Sequence, residues 1–562
     1  MKFSEMSYQR PAPEETEKEA LRLIEAFQKA DSAEEAEKIF LEWDRFSQHI
    51  GTMMSLAYAR HTINTEDPFY EQETEAMDEF SPVFSELQLR FTGQVLKSRF
   101  RKDLENRFGK LLFLNSDMFL RSFSSKIIPE TQETNKLETA YQKLIASAQI
   151  EFEGEKRTIS QMHPFKESPD DAVRMAAWEA EGRFYQENGD ELDRIYDEMV
   201  TLRTKMAQKL GYKSFVPLGY LQMTRNCYTP EDVARFREAV RKYIVPIAER
   251  LFRDQAKRTG KPYPLSFSDA ALKFVDGNPT PQGTAQDILR VGRELYHELS
   301  EETGSFIDLM FSDELMDVLS KKGKAGGGYC TSFDDYHVPF IFANFNGTAD
   351  DVEVITHEAG HAFAYYMARD LLPSDFRSPT LEACEIHSMT MEFFGWAKSD
   401  AFFGSDSRKF RYSHLSGALT FLPYGTMVDH FQHIMYEQPD LTPAERHGVW
   451  RKLSAVYMPW IRLDGSPFYG EGRGWQRQMH IYENPFYYID YCLAQTVALE
   501  FWVLIQQDHE KAWKQYMDLV RLAGTRTMTE LVEAAGLHSP FEEETLQGVA
   551  EYADRWLTEN SL

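Results

Sequence analysis

Cysteine is scarce in this chain. There are four in 562 residues, Cys227, Cys330, Cys384 and Cys492, far apart and with no C-x-x-C pair. That spacing excludes a dense disulfide framework and reads as reduced thiols of a cytoplasmic protein. Positive charge is also in short supply, with 62 Lys and Arg against 89 Asp and Glu, a net charge of -27 and a pI near 5.1. Nucleic acid and anionic membranes need clustered cations, so neither is expected as the main partner. The opening stretch MKFSEMSYQRPAPEETEKEA has no apolar core of the kind a signal peptide needs. No uninterrupted apolar run approaches the roughly 18 residues of a membrane span. Linkers rich in Pro, Gly and Ser are missing too, although the length alone would suggest several domains. These absences predict a soluble monomer, with 42% hydrophobic residues to fill a large core.

What is present is mostly helical. From Glu14 to about Thr259 apolar residues recur every three or four positions, as in Leu21, Ile24, Phe27, Ile39, Trp43 and Phe46. Ser32-Ala33-Glu34-Glu35 reads as a capping box, and Ser168-Pro169-Asp170-Asp171 and Thr229-Pro230-Glu231-Asp232 as helix starts with proline in the first turn. The chain is organised around Thr348 to Asp370. This stretch contains His357-Glu358-Ala359-Gly360-His361, an H-E-x-x-H motif expected about 0.04 times by chance in such a composition. On a helix capped by Thr348, both imidazoles face one ion and Glu358 can hold a water beside it. Gly360 weakens that helix, which implies a close approach to its backbone.

Catalytic zinc commonly has three protein ligands. The extended motif with a third histidine is excluded, because Ala364 and Met367 stand at its Gly and His positions. A helix starting at Ser378-Pro379 carries Glu382, Glu385, His387 and Glu392. Glu385 lies among apolar residues and can ligate, while Glu392, two turns on, can orient a ligand histidine. Glu382 reads as a solvated residue. Before the metal helix, Gly326 to Phe333 and Pro339 to Phe345 read as two short strands. The glycines there make no phosphate loop, since Tyr329 and Cys330 replace the required Lys and Ser/Thr. Between Arg462 and Gly474 four glycines fall within ten residues, which predicts a loop without a fixed conformation. His480 and the run Pro485-Phe486-Tyr487-Tyr488-Ile489-Asp490-Tyr491 follow, with a helix expected to start at Pro485.

HEAGH followed by CEIHSMTME resembles the zinc peptidases of the thimet oligopeptidase and oligoendopeptidase F group, including its Pz-peptidase branch. The resemblance spans Pro169 to Gly548. It implies a mainly α fold of two helical lobes around a deep substrate channel, with a small sheet beside the metal helix. Residues 1–190 would form the N-terminal lobe and 191–562 the catalytic lobe, with some interleaving. It implies one zinc ion per chain on His357, His361 and Glu385, with Glu358 as general base and Glu392 behind a ligand. Ala343, Asn344 and Phe345 would be an edge strand pairing with the peptide backbone. His480, Tyr487 and Tyr491 match the family's His and F-Y-x-Y-x-Y segment, which donates hydrogen bonds to substrate and oxyanion. Ile489 departs from it at the middle tyrosine. The expected activity is endopeptidase cleavage of short peptides. The alternatives are a zinc aminopeptidase or carboxypeptidase, or a non-enzymatic helical peptide-binding protein.

Overall fold

The computed structural model describes every residue from Met1 to Leu562 except Asp464, which lies within the glycine-rich loop. The fold is mainly helical, as expected, with one two-stranded and one three-stranded sheet among the described residues. The N-terminal helices Pro13–Lys29, Ala33–Ile63 and Pro68–Lys97 bury the faces that their periodicity marks. Leu23, Phe27, Trp43 and Phe91 meet there, and the Trp43 and Phe91 rings stack with centroids 4.1 Å apart. A hairpin of Ile150–Phe152 and Glu155–Arg157 interrupts the helical run, which the sequence reading had taken as almost continuous.

Helix starts agree in part. Thr229 and Asp232 close a reciprocal capping box. Ser32 accepts the Glu35 N–H at 3.1 Å, but the Glu35 carboxylate takes the Asp31 N–H instead, so that box is only half closed. Pro169 precedes the cap, which is Asp170.

The three-stranded sheet corrects the expected edge. Val338–Phe345 is its central strand, parallel to Met316–Leu319 on one side and antiparallel to Tyr329–Phe333 on the other. Met316–Leu319 had no period-two signal long enough to be read. Ala343 is fully buried and its carbonyl accepts from Lys324 Nζ. Asn344 Nδ2 donates to the Ala325 and Gly327 carbonyls, and Phe345 pairs with Leu319. Val338–Phe345 is therefore flanked on both sides and is not the edge of the sheet, although its ladder with Tyr329–Phe333 ends at Phe342. The outer strand nearest the motif is Tyr329–Phe333. A Cβ built on Gly328, just before it, would lie 3.3 Å from Glu358 Oε1.

The largest core runs from Met6 to Leu557 and wraps the helix that carries HEAGH, Asp350–Ala368, with Phe342, Phe363, Met391 and Trp502 all fully buried. Thr348 does not cap this helix: its hydroxyl donates to Asn346 Oδ1. Asp351 instead ties down the preceding turn by accepting the Asn346 and Gly347 N–H groups. The next helix, Leu381–Phe394, begins after Thr380, without a side-chain cap and three residues beyond Ser378. The two helices cross at Gly360. A Cβ there would lie 2.7 Å from Ser388 Cα and 2.8 Å from the His387 carbonyl, so only glycine permits the crossing.

One helix, Tyr488–Gln507, is by length and composition alone apolar enough to span a membrane, although Asp490 and Glu500 interrupt its apolar run. It is mostly buried in the core and packs on the Leu381–Phe394 helix. It begins three residues after Pro485, because Phe486 adopts a positive φ of 69° that breaks the turn.

Candidate metal centre

The crossing at Gly360 brings the motif onto the second helix. Glu385 Oε2 lies 3.2 Å from His357 Nε2 and 3.3 Å from His361 Nε2, and the three donor atoms are all within 4.8 Å of one another. A tetrahedral zinc site with ligand bonds of about 2.0–2.2 Å has donor separations of about 3.3–3.6 Å, so this donor set fits a metal. Glu385 is 1% exposed. Burial works against its charge, yet the two histidines hold its carboxyl well below the usual range. Ser388 Oγ donates to Oε2 at 2.9 Å and Tyr487 Oη to Oε1 at 2.5 Å, which fixes the carboxylate plane.

Behind His357 lies a chain of hydrogen bonds. His357 Nδ1 lies 2.7 Å from Glu392 Oε1, and His414 Nε2 lies 2.8 Å from Glu392 Oε2. Trp396 Nε1–H donates to His414 Nδ1 at 3.0 Å. Burial opposes a charge on His414 and Glu392 favours one, with the balance upward. The indole settles the matter for the neutral ring, because an N–H aimed at Nδ1 requires a lone pair there. His414 Nε2–H then donates to Glu392, and Glu392 receives the His357 Nδ1–H, leaving a lone pair on His357 Nε2, the atom 3.2 Å from Glu385 Oε2. His414 and Trp396 escaped the sequence reading. They lie 22 and four residues beyond Glu392, outside any motif.

Glu358 is 6% exposed, and its Oε2 has no hydrogen-bond partner among the described residues. Burial raises its pKa and the two histidines oppose the rise. An unpartnered buried carboxylate oxygen beside a metal cluster is what a water-activating base requires.

Glu382 is not solvated. It is 1% exposed and accepts from the Thr380 hydroxyl at 2.7 Å. Burial raises its pKa, and the Arg225 charge opposes the rise. It belongs with Arg225 and Asp490, away from the histidines.

Of the aromatic segment, His480 Nε2 and Tyr491 Oη are 3.1 Å apart. Burial pushes the His480 pKa down to about 4, against the pull of Glu385. Burial raises the Tyr491 pKa well above its usual value. Both are therefore neutral near pH 7. Tyr487 is committed to Glu385 rather than free. The Tyr488 ring lies 5.0 Å from that of His480.

The described residues 466–474 of the glycine-rich loop leading into this segment are packed against the rest of the fold. Phe468 and Tyr469 are buried. Phe468 stacks on Tyr185, and the Tyr469 hydroxyl donates to Glu181 at 3.0 Å. Its glycines serve close packing: a Cβ at Gly472 (φ 79°) would lie 2.5 Å from the His447 carbonyl. A cavity of about 600 Å³ opens elsewhere, between the N-terminal helices and the entry to the Glu385 helix, lined by Trp43, Asn115, Ser374, Thr380 and Arg526. No residue of the metal cluster lines it.

A model described as "Peptidase family M3" matches residues 164–270 and 287–551, and one described as "Peptidase M3 N-terminal domain" matches 3–123. The chain belongs to peptidase family M3. Family M3 comprises metal-dependent peptidases, which agrees with the donor set assembled here. Over 246 residues this M3 peptidase is 24% identical to oligopeptidase PepF of Bacillus subtilis (strain 168), a match covering 42% of the chain and 36% of PepF. Over 392 residues it is 23% identical to an oligoendopeptidase F homolog of Lactococcus lactis subsp. lactis (strain IL1403), covering 64% and 62%. Both matches thus span less than two thirds of those relatives' length. The solved structure of Pz peptidase A with an inhibitor has a TM-score of 0.98 to this M3 peptidase, at 46% identity over 99% of both chains. Oligoendopeptidase-F from Enterococcus faecium, at 15% identity and a TM-score of 0.62, shares the fold.

Proposed function

We propose that this M3 peptidase is a zinc-dependent endopeptidase that hydrolyses internal bonds of short peptides, with one zinc ion per chain on His357, His361 and Glu385. The observation that carries the reading is the pairing of three converging donor atoms with the unpartnered Glu358 oxygen beside them. A purely structural zinc site would instead have four protein ligands and no base. When bound, zinc supplies a Lewis acid that polarises a carbonyl and makes water more acidic. Glu358 takes a proton from the attacking water and returns it to the leaving amine. The His480–Tyr491 pair, both members neutral, supplies a hydrogen-bond donor where the oxyanion develops, the Tyr491 O–H with His480 behind it. Tyr487 holds Glu385 Oε1 and leaves Oε2 for the metal. The backbone of Tyr329–Phe333, at the sheet edge nearest Glu358, replaces Ala343 to Phe345 as the strand that pairs with a peptide. The lobe division near residue 190, the monomeric state and the cytoplasmic setting belong to the same proposal.

The test is mass spectrometry of a defined peptide pool, part of it blocked at both ends, with and without a chelator. Internal cuts in blocked peptides, abolished by chelation and restored by zinc, are expected. Release of terminal residues from free ends alone would make the enzyme an exopeptidase. Intact peptides after incubation with zinc-loaded protein would remove the catalytic reading.

A further inference from the structure

His480 has hydrogen-bond partners at both ring nitrogens. Gln478 Nε2 lies 2.9 Å from Nδ1, and Tyr491 Oη lies 3.1 Å from Nε2. On its other side, the Gln478 amide accepts the Tyr424 hydroxyl proton through Oε1 at 2.9 Å. An amide nitrogen can only donate, so His480 Nδ1 must present a lone pair, and a neutral ring then carries its hydrogen on Nε2. The consequence falls on Tyr491. A hydroxyl facing an Nε2 lone pair would spend its hydrogen on the imidazole. Facing an Nε2–H, it accepts instead and keeps its own hydrogen for another acceptor.

We propose that Gln478, whose Oε1 accepts from Tyr424, is a positioning residue that fixes the His480 proton on Nε2 and so keeps the Tyr491 O–H free for the substrate carbonyl. The inference rests on the reading of His480 and Tyr491 given above. It adds two residues that touch neither metal nor reacting atoms. Burial of His480 supports it, because a ring kept neutral has only one proton to place. The geometry also says why a glutamine is used. Glutamate, close to it in shape, has only acceptor oxygens and would draw the proton to Nδ1. Methionine, similar in length, would leave the tautomer undirected.

The tautomer can be read without turnover, by nitrogen NMR of histidine-labelled, zinc-loaded protein, with His480→Gln used to assign the signal. The native ring should show a protonated Nε2 and an unprotonated Nδ1, and Gln478→Glu should move the proton to Nδ1. In kinetics, Gln478→Glu should lower kcat about 100-fold, the lower end of the scale for one lost oxyanion donor, with KM and zinc content nearly unchanged. Gln478→Met should fall between, and Tyr424→Phe should weaken the preference less than either. An Nδ1–H ring in the native protein, or Gln478→Glu with native kcat, would overturn the inference. Undiminished kcat in Tyr491→Phe is a separate result, which would overturn the oxyanion reading itself while the NMR signal still decides the role of Gln478.

Discussion

Trp396 donates its indole N–H to Nδ1 of His414, and this bond decides the polarity of the whole chain of contacts that ends on His357. Because indole cannot accept, His414 carries its hydrogen on Nε2 and donates it to Glu392, which also takes the His357 Nδ1–H and leaves a lone pair on His357 Nε2. His414→Ala should therefore weaken zinc affinity about 10- to 100-fold, and Trp396→Phe by less, with circular dichroism unchanged. Competition with a fluorescent chelator measures this. Native zinc affinity in His414→Ala would reduce the chain to ordinary core packing.

Glu358→Gln should retain both fold and zinc while turnover falls at least about 100-fold, since an amide can hold a water but cannot take its proton. Single-turnover assays on metal-saturated protein are the check, and substantial remaining hydrolysis would assign the base elsewhere.

Glu385→Ala and Glu382→Ala separate the two buried carboxylates of one helix. The first should lose zinc on dialysis. The second should keep it but lose about 1–3 kcal/mol of stability, because the Thr380 hydroxyl loses its buried acceptor and Arg225 loses a nearby carboxyl. Metal analysis and urea unfolding give opposite patterns for the pair. Zinc loss from Glu382→Ala would mean that the wrong turn of the helix faces the metal.

Gly472→Ala should destabilise the protein by about 1–3 kcal/mol, since its positive φ and the His447 carbonyl both resist a Cβ. A loop free to move would accept alanine without loss. Equal urea midpoints for variant and native protein would restore the picture of a mobile connector.

Stability should fall as pH rises from about 4.3 to about 8. Burial pushes the Glu138 pKa up to about 8, where Arg203 opposes and Glu483 adds to the rise, and pushes that of Glu483 up to about 7. Folded-state values above the unfolded ones mean that the neutral carboxyls favour folding. Their contribution is complete below about 4.3 and is lost as pH climbs through the folded values. Glu483→Gln should flatten the profile of unfolding free energy in that window. An unchanged slope would show both groups already ionised in the folded protein.

The features legible in the sequence are those with a local signature. The spacing of HEAGH puts His357 and His361 on one helix face, and the apolar neighbours of Glu385 mark it as buried. Glu392 follows at two turns. The helical half reads from periods of three and four. What was not legible depends on partners distant in sequence. The central position of Val338–Phe345 is set by Met316–Leu319, a strand too short to announce itself. Glu382 looks like any helix-surface acid until Arg225 arrives from a loop distant in sequence. His414, Trp396, Gln478 and Tyr424 act through tautomers, which follow from who faces whom and not from spacing. The glycines near Gly472 were misread because close packing and freedom to bend require the same residue.

The crossing at Gly360 has a bearing on how the metal comes and goes. Ser388 Cα would lie 2.7 Å from any β-carbon at Gly360, and Ser388 also binds Glu385, so the contact that locks the helices together lies within a turn of the ligands. On the proposed reading, the hydrophobic core holds the three donors in place before an ion arrives. Chelation should then act like removing a bulb from a rigid socket: the fold and melting behaviour stay nearly as before, and zinc returns to a seat that needs no refolding.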